Sequence, residues 1–320
     1  LFAGLTLLAL QAKANPLPIF VLNSLDADVS VIDPVHFTQA RRVPTGKEPH
    51  HLYLTPDGQS VIVANAEGNS LTFLNPRTGE VQRTLRDIAD PYHLRFSPDM
   101  KWLVIAANRL DHIDIYRWQD NTPVLAKRIA APNTPSHIFI DSKSQIAYVS
   151  LQDSDELVAV DLPSLSLKWK ISVGDMPADV YLSADDKRLF VALTGSDQVE
   201  AYDVSHGGAR PATLLARIKT ADGAHAFRAK GDKRHVFVSN RVANNISLLD
   251  TQDMKVLASY PAPGGPDCME LLADGKTLIV TSRWAKKLTF IDTEQKKVIR
   301  QVPVGRSPHG VWTLHHAPRQ

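Results

Sequence analysis

Hydrophobic residues in this chain fall into short runs, each closed by a turn signal, and the runs recur in groups of four. One group shows the grammar. Pro49-His50-His51-Leu52-Tyr53-Leu54 is a β-prone run ending at Thr55-Pro56-Asp57-Gly58, where Pro and Asp-Gly sit as a type I turn requires. Val61-Ile62-Val63-Ala64-Asn65 is almost wholly apolar and predicts a strand buried on both faces. A polar loop over 66–69 leads to Leu71-Thr72-Phe73-Leu74, then to the turn Asn75-Pro76-Arg77-Thr78-Gly79. A more amphipathic run, 81–85, completes the group. Four short strands in some 42 residues are the pattern of one propeller blade.

Other columns keep the same phase. The first turn returns as Ser97-Pro98-Asp99-Met100, Ser183-Ala184-Asp185-Asp186 and Leu272-Ala273-Asp274-Gly275. The third strand closes on Asp33, Asn75, Arg117, Asp161, Asp203, Asp250 and Asp292, and an Asp at the entry to a turn caps local backbone N–H groups. The expected fold is all-β: a seven-bladed propeller of four-stranded blades. The strand 309–314 pairs with N-terminal strands from about 19 to 43 to complete the last blade, which closes the ring and protects its edges. Residues 15–320 form one domain, with Ser205 to Pro211 as a loop insertion.

Phe190-Val191-Ala192-Leu193, Val236-Phe237-Val238-Ser239-Asn240 and Ala147-Tyr148-Val149-Ser150 resemble the repeat strand of YVTN-type β-propellers. Val304-Gly305-Arg306-Ser307-Pro308-His309-Gly310-Val311 resembles that family's junction between repeats. The resemblance covers residues 15–320 and extends more loosely to haem d1-binding propellers of the nitrite-reductase type, which have eight blades. It implies a propeller and, through the looser kinship, a haem-like tetrapyrrole as a possible class of ligand.

Composition narrows the compartment and the partners. Leu1 to Leu10 is apolar and precedes Ala12-Lys13-Ala14, so residues 1–14 read as part of a signal peptide cleaved near Ala14. Ten residues are too few to span a bilayer. A periplasmic or secreted protein is expected, with no membrane association after cleavage. Cys268 is the only cysteine, so no internal disulfide can form, and strand alternation from Asp267 would turn it away from the channel. A formal charge of +2, without clustered Lys or Arg, gives no sign of a nucleic-acid footprint, and no specific nucleic-acid partner is expected.

The candidate chemistry lies in one column. His51, His93, His137, Asp179, His225, Asp267 and His309 are spaced 42, 44, 42, 46, 42 and 42 residues apart, where each blade's innermost strand begins. With 12 His in 320 residues, chance puts fewer than one in such a column; it holds five. Seven blades would converge these side chains on one mouth of the central channel. Three readings stand: imidazole that shapes the junction, a transition-metal site for Zn, Cu or Fe, and a seat for a tetrapyrrole. Asn108, Arg109, Arg241, Arg283 and Trp284 follow second strands on the same face and are candidate ligand-binding residues, Arg offering a fork for an acidic group. His50, His112, His206, His235, His315 and His316 fall outside the column. A binding module for a metal ion or small molecule is the leading expectation. The alternatives are a scaffold whose propeller face docks a protein, and a metal-assisted lyase or hydrolase. No nucleophile motif is present.

Overall fold

The computed structural model describes residues 17–319. The leader expected over 1–14 lies outside the described residues. Seven four-stranded antiparallel sheets surround a central channel. The innermost strands are Pro49–Leu54 in blade 1, Pro91–Phe96 in blade 2, Pro135–Ile140 in blade 3, Pro177–Leu182 in blade 4, Ala224–Ala229 in blade 5, Pro266–Leu271 in blade 6 and Pro308–Thr313 in blade 7. Blade 7 is composite. Its innermost strand pairs antiparallel with Ile19–Asn23, followed outward by Asp28–Asp33 and Thr38–Pro44. Phe20 lies opposite Trp312, and their rings stack with centroids 5.9 Å apart.

The turns form as their residues dictate. The Thr55 hydroxyl donates to Asp57 Oδ1 at 2.6 Å, and the Ser97 hydroxyl to Asp99 Oδ1 at 2.6 Å. At the other turn of blades 5 and 6, Asp250 Oδ1 accepts the Gln252 and Asp253 amides at 2.9 and 3.0 Å, and Asp292 Oδ1 does the same for Glu294 and Gln295. These bonds satisfy amides that a tight turn removes from the ladder.

Apolar side chains pack between neighbouring blades rather than on the axis. Ile62, Leu71 and Phe73 of blade 1 meet Leu94, Phe96, Leu103 and Tyr116 of blade 2. Ile19, Val21 and Ile32 of blade 7 meet Ile279, Leu288 and Phe290 of blade 6. Burying this area stabilises the fold by roughly 25 cal/mol per Å², and it leaves the axis free to hold polar groups.

Candidate functional site

A β-bulge recurs in every blade and determines what reaches the axis. In blade 1, Pro49 pairs with Asn65 and His51 with Ala64, so two residues of the inner strand face one of its partner. Blade 7 repeats it, from Pro308 opposite Asn23 to Val311 opposite Val21. An extra residue in a bulge re-aims its neighbours, and two consecutive residues per blade converge on the channel. Counted from the strand start, the first tier is His50, Tyr92, Ser136, Ala178, His225, Asp267 and His309. The second is His51, His93, His137, Asp179, Ala226, Cys268 and Gly310.

The single ring expected from spacing is therefore two half-rings at different depths. The slip falls in blade 4, where the segment between Gln198–Asp203 and Thr213–Lys219 carries the insertion. The inner strands of blades 4 and 5 begin at Pro177 and Ala224, one residue further apart than the spacing of 46 between Asp179 and His225. Two further expectations are corrected. His50 is buried and stacks on His309 with centroids 3.6 Å apart. Cys268 does not turn away: its Sγ lies 3.7 Å from His309 Nδ1.

Six imidazoles thus form one cluster with Tyr92. Centroids lie 4.4 Å apart for His51–His93, 4.9 Å for His93–His137, 5.0 Å for His51–His137 and 4.8 Å for His51–His309. Three groups bring their ligand atoms within 4.8 Å of one another: His51, His93 and His137; His50, His51 and His309; and His225, Asp267 and His309. Burial, first of all, holds His50, His51, His93 and His309 well below the usual imidazole range, lowers His137, and brings His225 to about 4. Burial also raises the Tyr92 hydroxyl to about 12 and the Cys268 thiol well above its ordinary value. The rings are neutral at pH 7, and each keeps a lone pair. His50 Nδ1, His51 Nε2, His93 Nδ1 and His137 Nε2 have no hydrogen-bond partner among the described residues. Buried polar atoms are rarely left in that state.

Asp267 balances the first tier. Its Oδ1 accepts from Arg241 Nη2 at 2.9 Å and lies 2.8 Å from His225 Nε2; its Oδ2 accepts from Arg283 Nη1 at 3.1 Å. Burial pushes this carboxyl upward, but Arg241, His309 and His225 together hold it well below the usual range. The two Arg expected to receive an acidic ligand are thus engaged by the chain's own carboxylate. Arg109 pairs with Asp90 at 2.6 Å and with Glu48, and Asn108 Nδ2 donates to the Pro135 carbonyl at 3.2 Å. Trp284 is 56% exposed and lies against Gly265, whose φ of +72° and lack of a Cβ leave room for the indole.

Below the second tier is a cavity of about 160 Å³. His51, His93, His137, Asp179 and Cys268 form one end, and Tyr53, Arg95, Phe139, Tyr181, Arg228 and Glu270 line the rest. The segment after blade 7 closes that side: Ala317 N donates to the Leu271 carbonyl at 2.8 Å, and Arg228 and Arg319 both pair with Glu270. Sequence reasoning missed His50, Tyr92, Arg95 and Glu270. The Pro49-His50-His51 doublet was a usable signal for the first of these.

Fold and channel define a seven-bladed β-propeller whose axis is filled by imidazoles. The chain belongs to the YNCE-like β-propeller family, whose model matches residues 3–319. By sequence, no curated protein matches it. Several solved structures share the fold. One is the dihydro-heme d1 dehydrogenase NirN in complex with DHE, at 16% identity and TM-score 0.70, over 94% of this chain and 76% of that one. A second is Kuenenia stuttgartiensis hydrazine synthase, at 20% and 0.67, over 86% and 92%. A third is the periplasmic gluconolactonase PpgL of Pseudomonas aeruginosa, at 16% and 0.77, over 92% and 98%. Among the described residues, no helix is long and apolar enough to cross a membrane.

Proposed function

We propose that this propeller is an exported binding module that holds a transition-metal ion in the imidazole cluster of its channel. The observation that carries the reading is the set of buried, neutral ring nitrogens without partners, grouped within 4.8 Å of one another. Neutral imidazole is the ligand of Zn, Cu and Fe, and three such nitrogens close on one ion at about 2.0–2.2 Å after small side-chain rotations. His51, His93 and His137 are the preferred set. Asp179 follows them in the same tier, where a dication would favour its ionised form, whereas Arg241 and Arg283 stand beside the third group and oppose a dication there. The hydrogen bond between Ser136 Oγ and His137 Nδ1, at 2.9 Å, orients that ring with Nε2 free, as an outer partner does for a metal ligand. The ion would supply Lewis acidity or a redox couple; the chain supplies three grouped imidazoles.

A tetrapyrrole is the second reading, supported by the fold shared with a protein whose structure was determined with DHE. A cavity of about 160 Å³ is far below the roughly 300–1,000 Å³ of sites for drug-sized ligands, so such a group would lie across a face rather than within the channel. Export follows from the apolar leader pattern, and a structural neighbour described as periplasmic is in keeping with it.

Elemental analysis of protein purified from cells supplied in turn with Zn, Cu and Fe tests the metal reading. One ion per chain is expected, lost in the His93→Ala/His137→Ala double variant. Metal content equal in the two proteins sinks it. An absorption spectrum of the native protein decides the second reading, because a bound tetrapyrrole is coloured.

A further inference from the structure

The cavity holds a cation that the metal site does not use. Arg95, at the fifth position of blade 2's innermost strand, places its guanidinium carbon 3.8 Å from the centre of the Phe139 ring, and its Nη1 donates to the Ile138 carbonyl at 3.5 Å. Among the described residues, no carboxylate pairs with it. The other charges on the cavity wall are committed. Arg228 and Arg319 share Glu270, and Arg228 also donates to the Pro318 and Ala317 carbonyls at 3.1 and 2.8 Å. Asp179 accepts the Val180 and Phe227 amides at 2.9 and 2.8 Å, and burial raises its carboxyl toward the neutral form. Three guanidiniums against two carboxylates leave the cavity net positive even with Asp179 ionised. A guanidinium stays charged at any working pH, and Arg95, half-buried, has no anion of its own.

The walls around this cation are aromatic. Tyr53, Phe139, Tyr181 and Phe227 line the same space, with Phe139–Tyr181 centroids 5.6 Å apart and Tyr181–Phe227 centroids 6.0 Å apart. At about 160 Å³ the space is of the size that admits a benzene-sized guest. We infer that the lower channel binds a small, flat carboxylate, its carboxylate on the Arg95 fork and its body against the aromatic walls. The site needs no ion on the imidazoles, so it stands or falls separately from the metal reading.

Calorimetric titration of chelator-treated protein with benzoate, benzamide and inorganic phosphate tests it. Benzoate is expected to bind one per chain, at least ten-fold more tightly than benzamide. Arg95→Met should weaken benzoate at least ten-fold and leave benzamide unchanged, with thermal unfolding confirming that the variant folds. Arg95→Lys, which keeps the charge and loses the planar fork, should weaken benzoate several-fold and leave benzamide unchanged; this keeps the test decisive if Arg95→Met does not fold. No benzoate binding, equal binding of benzamide, unchanged benzoate affinity in both Arg95 variants, or phosphate binding in place of benzoate each overturns the inference.

Discussion

The two ends of the channel solve opposite problems with the same residue types. At the mouth where the inner strands begin, Asp267 is surrounded by Arg241, Arg283 and His225, and every formal charge has a partner within 3.1 Å. At the far end Arg95 has an aromatic ring and one long carbonyl contact in place of a carboxylate. Between them lie neutral rings with free nitrogens. One end is internally complete; the other end and the middle are complementary to something else. That contrast separates residues that hold the structure from residues that hold a ligand, which a list of polar residues on the axis cannot do.

The largest expected effect that sharpens the contrast is acid sensitivity. Six imidazoles have native pKa values below the ordinary 6.5. Below pH 6.5 the unfolded chain takes up protons that the native cluster refuses, so stability falls as pH drops from 6.5 toward the native values, about 4 for His225. A ring contributes at most about 1.4 kcal/mol per pH unit between its unfolded and native values, and nothing above that window. Urea unfolding at pH 8, 7, 6 and 5 should show a plateau and then a steep decline; a flat profile refutes the neutral cluster. With metal bound the whole profile should lie higher and the decline be at least as steep, because the ion keeps protons off the same native nitrogens.

Next in size is Asp267→Asn. It strips the partner from two guanidiniums and a histidine and is expected to cost about 3–5 kcal/mol, measured by urea unfolding at pH 7. Asp267 has a depressed pKa, so its own contribution is present above the ordinary value of 3.8 and is lost as pH falls below it. The decline between pH 6.5 and 5 should therefore survive in the variant. Glu270→Gln comes third, at about 2–3 kcal/mol, because Arg319 is partly exposed and loses less. Release of the tail should appear as faster hydrogen exchange at Ala317, whose amide bonds the Leu271 carbonyl. Smallest is Trp284→Ala, expected within about 0.5 kcal/mol of the parent as an exposed side chain; a loss near 2 kcal/mol would make the indole structural.

The fold was legible in the sequence because blade strands and turns are local. Alternation, Pro-Asp-Gly turns and a capping Asp each act over a few residues, and the closure of blade 7 followed from counting strands at the two ends. The site was legible only in outline. His51, His93, His137, His225, Asp267 and His309 do converge, but a bulge breaks alternation at the one place where face assignment mattered. An insertion on the outer side of blade 4 hid a one-residue slip in the column. Arg95 gave no periodic signal, because four of its counterparts, Tyr53, Phe139, Tyr181 and Trp312, are aromatic and the other two are Arg228 and Glu270, so a lone cation does not stand out as a column. Its lack of a carboxylate partner is a property of seven strands together.

The composite blade also fixes an order of events. His309, which stacks on His50 and lies 3.5 Å from Asp267, belongs to the last strand of the ring, and that strand pairs with the first. During synthesis or threading through a membrane pore, six blades' worth of chain emerges before the closing strand does. The six-imidazole cluster is therefore complete only on the full chain, whereas His51, His93 and His137, from blades 1 to 3, are all delivered before the strand that shuts the ring.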